Sequence, residues 1–531
     1  MPFQENFSPK KEIEGPYLSD QQKQELVPEY LKPFLKWVRE HPESANLPLV
    51  ESGFIAEGTI HPDFEQLHLL KKRIAEENER RHKRQEHPIS FVGIHASPRR
   101  DEGSYQLLDK VLDTPERLGV KKKLLTFYDE EGVFRPENIQ ETVEAIRRAD
   151  GFMITTHTRR GILNSYITAL LEALENENLA GKVVSFSHTF SKPEKDSQIV
   201  PLQLLRRFFE EKGCIILPYS SMYAHEGEAN EPWLVRDIER NGVNFIQAID
   251  RLGRSQLPDL LTDPAQLQVR KREGETEPAW ENLQGRVKFI NKERAERNER
   301  PLNVLFVLGG ENPKGYSARA TRVLEKNFQF LGLETDTINL AEEDEKIKFT
   351  SGNPEVTLEE AMPQLRGEQE TAEDVAMQDA YIKLLGADVV IFTTPVRWFG
   401  VSARLQKFIE RTTPLEVSGF LLAGKAFGSL ITFSESGATE AEARLQTFAD
   451  NNGMMNIPLG GLKLRLGSSP EGKKNPKNKN FLATPRYKSI RQMAAMGTAL
   501  ITEFLVADGV KVSHLSFDHL NPLLSIVSPE D

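Results

Sequence analysis

The chain has 531 residues, enough for roughly two to four domains with their own cores, and its 68 Lys and Arg against 79 Asp and Glu give a net charge of −11. No basic excess exists to neutralise nucleic-acid phosphates, so no nucleic-acid partner is expected. The one cysteine, Cys214, excludes an internal disulfide, an iron–sulfur cage and a thiolate zinc site, so any redox work needs a borrowed organic cofactor.

The opening MPFQENFSPKKEIEGPY mixes charge with proline and has no apolar run for a signal peptide. No later segment approaches the ~20 apolar residues of a membrane span. A cytoplasmic protein with no membrane partner is the expectation. Residues 1–87 are polar with a helical pattern, Leu31, Phe34, Leu35 and Val38 recurring at helical spacing, and suggest a mostly helical extension.

From there strands and helices alternate. ISFVGIH (89–95) leads to a helix from Ser104, KKKLLTFYD (121–129) to a helix ending at Ala149, and GFMITT (151–156) to a helix through Leu174. KVVSFSH (182–188) precedes a helix over 199–213, and CIILPYS (214–220) precedes a closing helix across 232–252. Short apolar, β-branched strands between amphipathic helices imply a parallel sheet covered on both faces. A charged stretch, 256–301, with few large apolar residues besides Trp280, Val287, Phe289 and Ile290, suggests a connector.

The same order then returns: NVLFVLGG (303–310), a helix from Ser317, ETDTINL (334–340), a helix near 371–386, DVVIFTT (388–394) and a helix over 402–411. AFGSLITF (426–433), a helix over 438–452, MMNIPLGG (454–461) and a helix from about 484 to 507 complete it. ADGFMITT and ADVVIFTT mark an internal duplication. The expected fold is α/β, two tandem doubly wound five-stranded parallel sheets behind an N-terminal helical extension. Domain one spans 88–255 and domain two 302–510, with a tail over 511–531.

Ligands of such sheets sit beyond the carboxyl ends of the strands. The first such loop of domain one, HASPRRDEGSYQLL, places Ser97, Arg99, Gly103 and Ser104 before a helix, whose N-terminal amides, with hydroxyls and an arginine, suit a phosphate. A plain helix cap at Ser104 with a solvated Arg99 explains the same residues. In domain two, LGGENPKGYSARAT keeps Gly310 and Ser317, puts Asn312 where Arg99 stands, and offers Lys314 as a charge. A Gly-rich turn capped by Ser317 is the plain alternative.

After the third strand domain two reads TTPVRWFGVSARLQKFIERT, in which Pro395, Val396, Arg397, Trp398, Phe399 and Gly400 offer a rigid turn, flat surfaces and amides to a planar heterocycle. Aromatics in such a loop also serve cores and interfaces. Domain one has His157, Arg159 and Arg160 there, a weaker stacking surface. After strand four, Ser436 and Gly437 can turn amides toward the same ring. The eleven histidines lack metal-site spacing, and no G-x-S-x-G elbow offers a nucleophile. GKKNPKNKN (472–480) is basic and suits a solvated loop or one closing over a dinucleotide phosphate.

Together these residues resemble the flavodoxin-like superfamily, in its NAD(P)H-dependent FMN reductase branch of flavin, quinone and azo-dye reductases. The family's G-S-x-R followed by Ser or Thr is approached by Ala96-Ser97-Pro98-Arg99 with Ser104, and by Gly309-Gly310-Glu311-Asn312 with Ser317. Its A-D-x(5)-T/S-P-x-Y-x-G is similar to Ala387-Asp388 through Thr394-Pro395-Val396-Arg397-Trp398. The resemblance covers 89–252 and 302–510. It implies FMN as cofactor, NAD(P)H as co-substrate, hydride transfer from nicotinamide to flavin, and a small-molecule electron acceptor. It also implies phosphate binding by Ser97, Arg99 and Ser104 in domain one and by Ser317 with neighbouring amides in domain two. Pro395 to Gly400, with Ser436 and Gly437, would then flank the isoalloxazine. Domain one has the better phosphate loop and domain two the better ring loop. Either a single half binds flavin, or the halves pair as an intramolecular pseudo-dimer or within a homo-oligomer. A flavin-free scaffold or interaction protein built from degenerate domains is the alternative.

Overall fold

The computed structural model describes residues 62–506 apart from 98–102, 129–133, 136, 158–164, 191–198, 218–221, 226–241, 243, 256, 264–266, 268–277, 313, 344–371, 414, 416–421, 423, 459–460 and 466–484. The first half runs α1 (Pro62–Lys83), β1 (Ser90–His95), α2 (Gly103–Arg117), β2 (Lys121–Thr126), α3 (Glu137–Arg148), β3 (Gly151–His157), α4 (Ser165–Ala173), β4 (Val183–Phe190), α5 (Ile199–Glu211), β5 (Ile215–Ile216) and β6 (Met222–His225). The second runs α6 (Pro278–Glu296), β7 (Asn303–Leu308), α7 (Tyr316–Phe330), β8 (Glu334–Asn339), α8 (Ala372–Gly386), β9 (Val389–Pro395), α9 (Ala403–Glu410), β10 (Ala426–Phe433), α10 (Ala438–Asn451), β11 (Met455–Asn456), β12 (Leu462–Arg465) and α11 (Pro485–Ala499), which continues as a π-helix over Leu500–Leu505.

All strand pairs are parallel, in the orders β2-β1-β3-β4-β5 and β8-β7-β9-β10-β11. That is the flavodoxin-like doubly wound order, as the sequence pattern predicts. The fifth position of each sheet is split: β5 and then β6 lie along β4, and β11 and then β12 along β10. Of the strands expected over 214–220 and 454–461 the structure shows the short runs Ile215–Ile216 and Met455–Asn456, and Met222–His225 and Leu462–Arg465, just beyond the expected ranges, are strands the sequence pattern did not assign. Among the described residues no helix is long and apolar enough to cross a membrane.

The polar stretches ahead of each sheet are part of the folded repeat. α1 buries Leu70 and Ile74, and α6, within the expected connector, buries Trp280, Leu283, Val287 and Ile290. A few apolar residues at helical spacing suffice to dock a highly charged helix. The two helices make matching contacts. Asn78 Oδ1 accepts the Ile89 amide at 2.8 Å, as Asn291 Oδ1 accepts that of Leu302 at 2.8 Å. Arg81 grips Asp150 at 3.1 and 2.8 Å, as Arg294 grips Asp388 at 2.9 and 2.6 Å. Each carboxylate also accepts the first amide of the adjoining strand, Ser90 or Asn303, at 2.9 Å. Even the left-handed residue after each helix recurs, Gln85 at φ 61° and Asn298 at φ 58°.

Each sheet keeps one private core, centred on Ile94, Phe152 and Phe209 in the first half and on Val307, Phe392 and Phe448 in the second. The opposite faces join a continuous core containing Phe91, Phe245 and Ile249 together with Trp280, Phe306, Phe328, Ile501 and Phe504. Arg251 Nη1 crosses the junction to the carbonyls of Phe504 (2.6 Å) and Leu505 (3.2 Å). Elsewhere α5 meets α10 reciprocally: Arg206 bonds Asp450, and Gln446 Nε2 donates to Glu210 Oε2 at 3.0 Å. Gly213 and Gly453, which receive equivalent turns from Glu210 and Asp450, fix Arg206 as the counterpart of Gln446 and Glu210 as that of Asp450. Position one thus touches position two of the other copy in both directions, the signature of an isologous contact.

Asp388→Ala removes the carboxylate that holds a nearly buried guanidinium through two hydrogen bonds and accepts a strand amide, leaving Arg294 the more distant Glu299 at 4.0 Å, and should lower unfolding free energy by about 3 kcal/mol. Arg297→Ala, which breaks the half-exposed pair with Glu299, should change it by less than about 0.5 kcal/mol. Denaturant titration of the two variants checks the contrast.

Candidate functional site

The loops leaving β7, β9 and β10 converge at the carboxyl edge of the second sheet. Gly309 N donates to Thr393 O at 2.7 Å, which sets the first loop level with the end of β9. A methyl on Gly309 would fall 2.7 Å from Leu405 Cβ and 2.9 Å from Ser402 Oγ, so this backbone approach requires glycine. Ser402 seals the seam: its hydroxyl bonds the Gly309 carbonyl, its amide donates to Thr394 Oγ1 at 2.9 Å, and its oxygen caps α9 by accepting from Leu405 N. Beneath lies a hydroxyl ladder. Ser317 Oγ and Thr432 Oγ1 share a bond of 2.6 Å, and Thr321 Oγ1 and Thr393 Oγ1 one of 2.9 Å. The sequence pattern missed Thr393 and Thr432, because threonine near a strand end reads as β-branched strand stock, and Ser402 and Thr321, which read as an ordinary helix start and helix interior.

The stretch expected to meet a ring is a hairpin. Arg397 N donates to Gly400 O at 3.0 Å and Gly400 N to Arg397 O at 2.9 Å, leaving Trp398 and Phe399 as a two-residue turn with φ of 47° and 60°. Positive φ at both central residues is the type I′ hairpin, which normally selects Asn-Gly or Gly-Gly. Two bulky aromatics there are strained. Trp398 is 96% exposed and Phe399 55%. The Arg397 and Gly400 amides are spent inside the hairpin, so the amides expected near Gly400 for a heterocycle reduce to those at the turn itself. Val396 is tied down by its amide to Thr432 O at 2.8 Å.

Gly437 supports the turn from below. It sits at φ 90° as the N-cap residue of α10, and a methyl there would fall 2.8 Å from Val396 Cγ1 and 2.9 Å from Phe399 Cα. Ser436, just before it, is exposed.

In the first loop Asn312 closes a tight turn, its Oδ1 accepting from Lys314 N and its carbonyl from Gly315 N, both at 2.9 Å. Lys314 and Glu311 are exposed, and Arg397 Nη2 lies 3.5 Å from Glu311 Oε2, an ion pair spanning the first and third loops. Gly310 faces open space, its nearest neighbours Ser317 Cβ and Pro395 Cδ standing 3.9 and 4.0 Å from a built methyl. α7 begins at Gly315 and α10 at Gly437, neither with a side-chain cap. Two helix starts with uncapped amides thus share this edge with the aromatic hairpin.

In domain one, Ala96 N donates to Thr155 O at 2.9 Å, the counterpart of the Gly309 bond, and Ser97 is buried. Gly103 opens α2 and Ser104 lies in its first turn. Arg99, and the loops after β3 and β4, lie outside the described residues. Among the described residues no cluster of His, Cys, Asp and Glu could hold a metal.

The residues of domain two fit a flavin's ring better than its phosphate. Trp398, Phe399 and the uncapped start of α10 suit a flat heterocycle with carbonyl acceptors. The start of α7 and Ser317 suit an anion, but the loop brings no arginine of its own and carries Glu311.

Replacing Trp398-Phe399 by Asn-Gly should raise stability by about 1 kcal/mol by relieving the turn. A thermal melt of the double variant checks this, and a loss of stability would show the aromatics to be packing residues.

NADPH-dependent FMN reductase is the family that matches the chain, and it does so twice, over residues 89–227 and 302–465, together more than half of its length. No curated protein matches it. Among solved structures, RosB with bound intermediate OHC-RP (8-demethyl-8-formylriboflavin-5′-phosphate) is similar at 13% identity and a TM-score of 0.31, over 43% of this chain and 89% of that one. A flavodoxin, WrbA-like protein from Agrobacterium tumefaciens is 12% identical with a TM-score of 0.23, over 38% and 96%. The NAD(P)H:quinone oxidoreductase from Methanothermobacter marburgensis is 14% identical with a TM-score of 0.25, over 38% and 96%.

Proposed function

Because this chain belongs to the NADPH-dependent FMN reductase family, and by that membership is a flavin oxidoreductase, we propose that its second half holds a flavin ring beside the Trp398-Phe399 hairpin and passes electrons from NADH or NADPH to a small acceptor such as a free flavin or a quinone. The observation that carries the reading is the strained, exposed aromatic turn propped by Gly437 at the carboxyl edge of a flavodoxin-like sheet. Strain of this kind persists where binding, not folding, selects the residues.

A bound flavin would supply the redox chemistry, accepting two electrons from a nicotinamide and handing them on. The chain's own residues would position it. Trp398 and Phe399 would cover ring surface and exclude water. Amides at the starts of α7 and α10 would face its acceptor oxygens and favour negative charge beside them. Ser402, through Gly309 and Thr394, holds the first and third loops at fixed separation and so acts as a positioning residue. Pro395, at the end of β9, stiffens the exit into the hairpin.

The purified full chain should carry or take up flavin, with flavin absorption bands, and oxidise NADH or NADPH when an acceptor is added. Trp398→Ala should weaken flavin binding about tenfold by removing a stacking surface. A protein that stays colourless after incubation with FMN and riboflavin, and that oxidises neither nicotinamide, refutes the reading and leaves a scaffold role.

A further inference from the structure

We propose that the domain-two site does not select for the flavin's phosphate and takes riboflavin and FMN with nearly equal affinity. The inference rests on the ring-binding reading above and adds which flavins that site accepts.

Register carries the argument. The equivalent bonds Ala96 N to Thr155 O and Gly309 N to Thr393 O match Ala96 with Gly309, and counting on along the sequence aligns Ser97-Pro98-Arg99 of the first half with Gly310-Glu311-Asn312 of the second. A hydroxyl, a neutral imino acid and a guanidinium are thus replaced by a hydrogen, a carboxylate and an amide. The amide is turned into its own loop, Asn312 spending its side-chain oxygen on Lys314 N and its carbonyl on Gly315 N. Those two amides are then not offered outward.

The nearest cation of the third loop is already paired. Arg397, on the third loop, already faces Glu311 at 3.5 Å, and a phosphate competing for that guanidinium would meet the carboxylate beside it. Lys314 is exposed, so its charge is screened by water. The Ser317 hydroxyl is engaged with Thr432. What the first loop itself leaves for a phosphate is the uncapped start of α7, an attraction of a few-fold at most once Glu311 opposes it. The aromatic turn is unaffected by these changes and serves any flavin equally.

The test is titration of the full chain with riboflavin and with FMN, taking as the domain-two component the binding that Trp398→Ala weakens. The two dissociation constants of that component should agree within about threefold, and the FMN value should change little between low and moderate salt. Gly310→Ser with Asn312→Arg should tighten FMN over riboflavin by about ten- to a hundredfold, the worth of a charged phosphate contact. Glu311→Gln should tighten FMN and leave riboflavin unchanged. FMN binding tenfold or more above riboflavin in the unaltered chain overturns the inference while leaving the ring-binding reading intact. Absence of any Trp398-dependent flavin binding overturns both.

Discussion

A carboxylate at the foot of the third strand holds three separated pieces of each half together. Asp150 and Asp388 each take an arginine from the helix that leads the half and the first amide of its first strand. One acid thereby docks a charged helix, starts the first strand and sets its register against the third. That register decides what happens at the opposite edge, where Gly309 emerges level with Thr393 and its loop meets Pro395 and Ser402. The candidate site is assembled from residues distant in sequence because the sheet below it has one permitted alignment.

The scaffold is duplicated faithfully and the loops are not. Helix, strand and turn contacts repeat from one half to the other, down to a left-handed residue after the leading helix, while the phosphate-type loop and the ring-type loop diverge. The halves share one apolar core and meet through α5 and α10 in reciprocal contacts. Burial pushes the Glu210 carboxyl up from its ordinary range at that junction, partly offset by Arg206. Such buried polar contacts orient more than they stabilise, which suits two domains held in a fixed relation while their sites specialise.

The strand and helix alternation, the duplication and the loops at the carboxyl edge were all legible, since apolar β-branched runs between amphipathic helices leave few other folds. The leading helices were harder. Trp280, Leu283, Val287 and Ile290 dock a segment whose composition otherwise reads as solvated. A turn after Pro395 was legible but its hairpin geometry was not: Trp398-Phe399 carries no type I′ signal, because the pair violates the preference that would announce it. Ser402 and the threonines around it were hidden for another reason, their role resting on partners such as Gly309 and Thr432 that are remote in sequence. The second piece at the fifth position escaped notice because Met222–His225 is only four residues long, too short a run for pattern to mark as a strand.

The most direct measurement of the central claim is the location of bound flavin in a crystal structure of the full chain grown with riboflavin or FMN. The account expects the ring against Trp398 and Phe399, with its polar edge toward the first turn of α10 at Gly437. A flavin seated only in the first half, or a second-half ring making no contact with the hairpin, would contradict it.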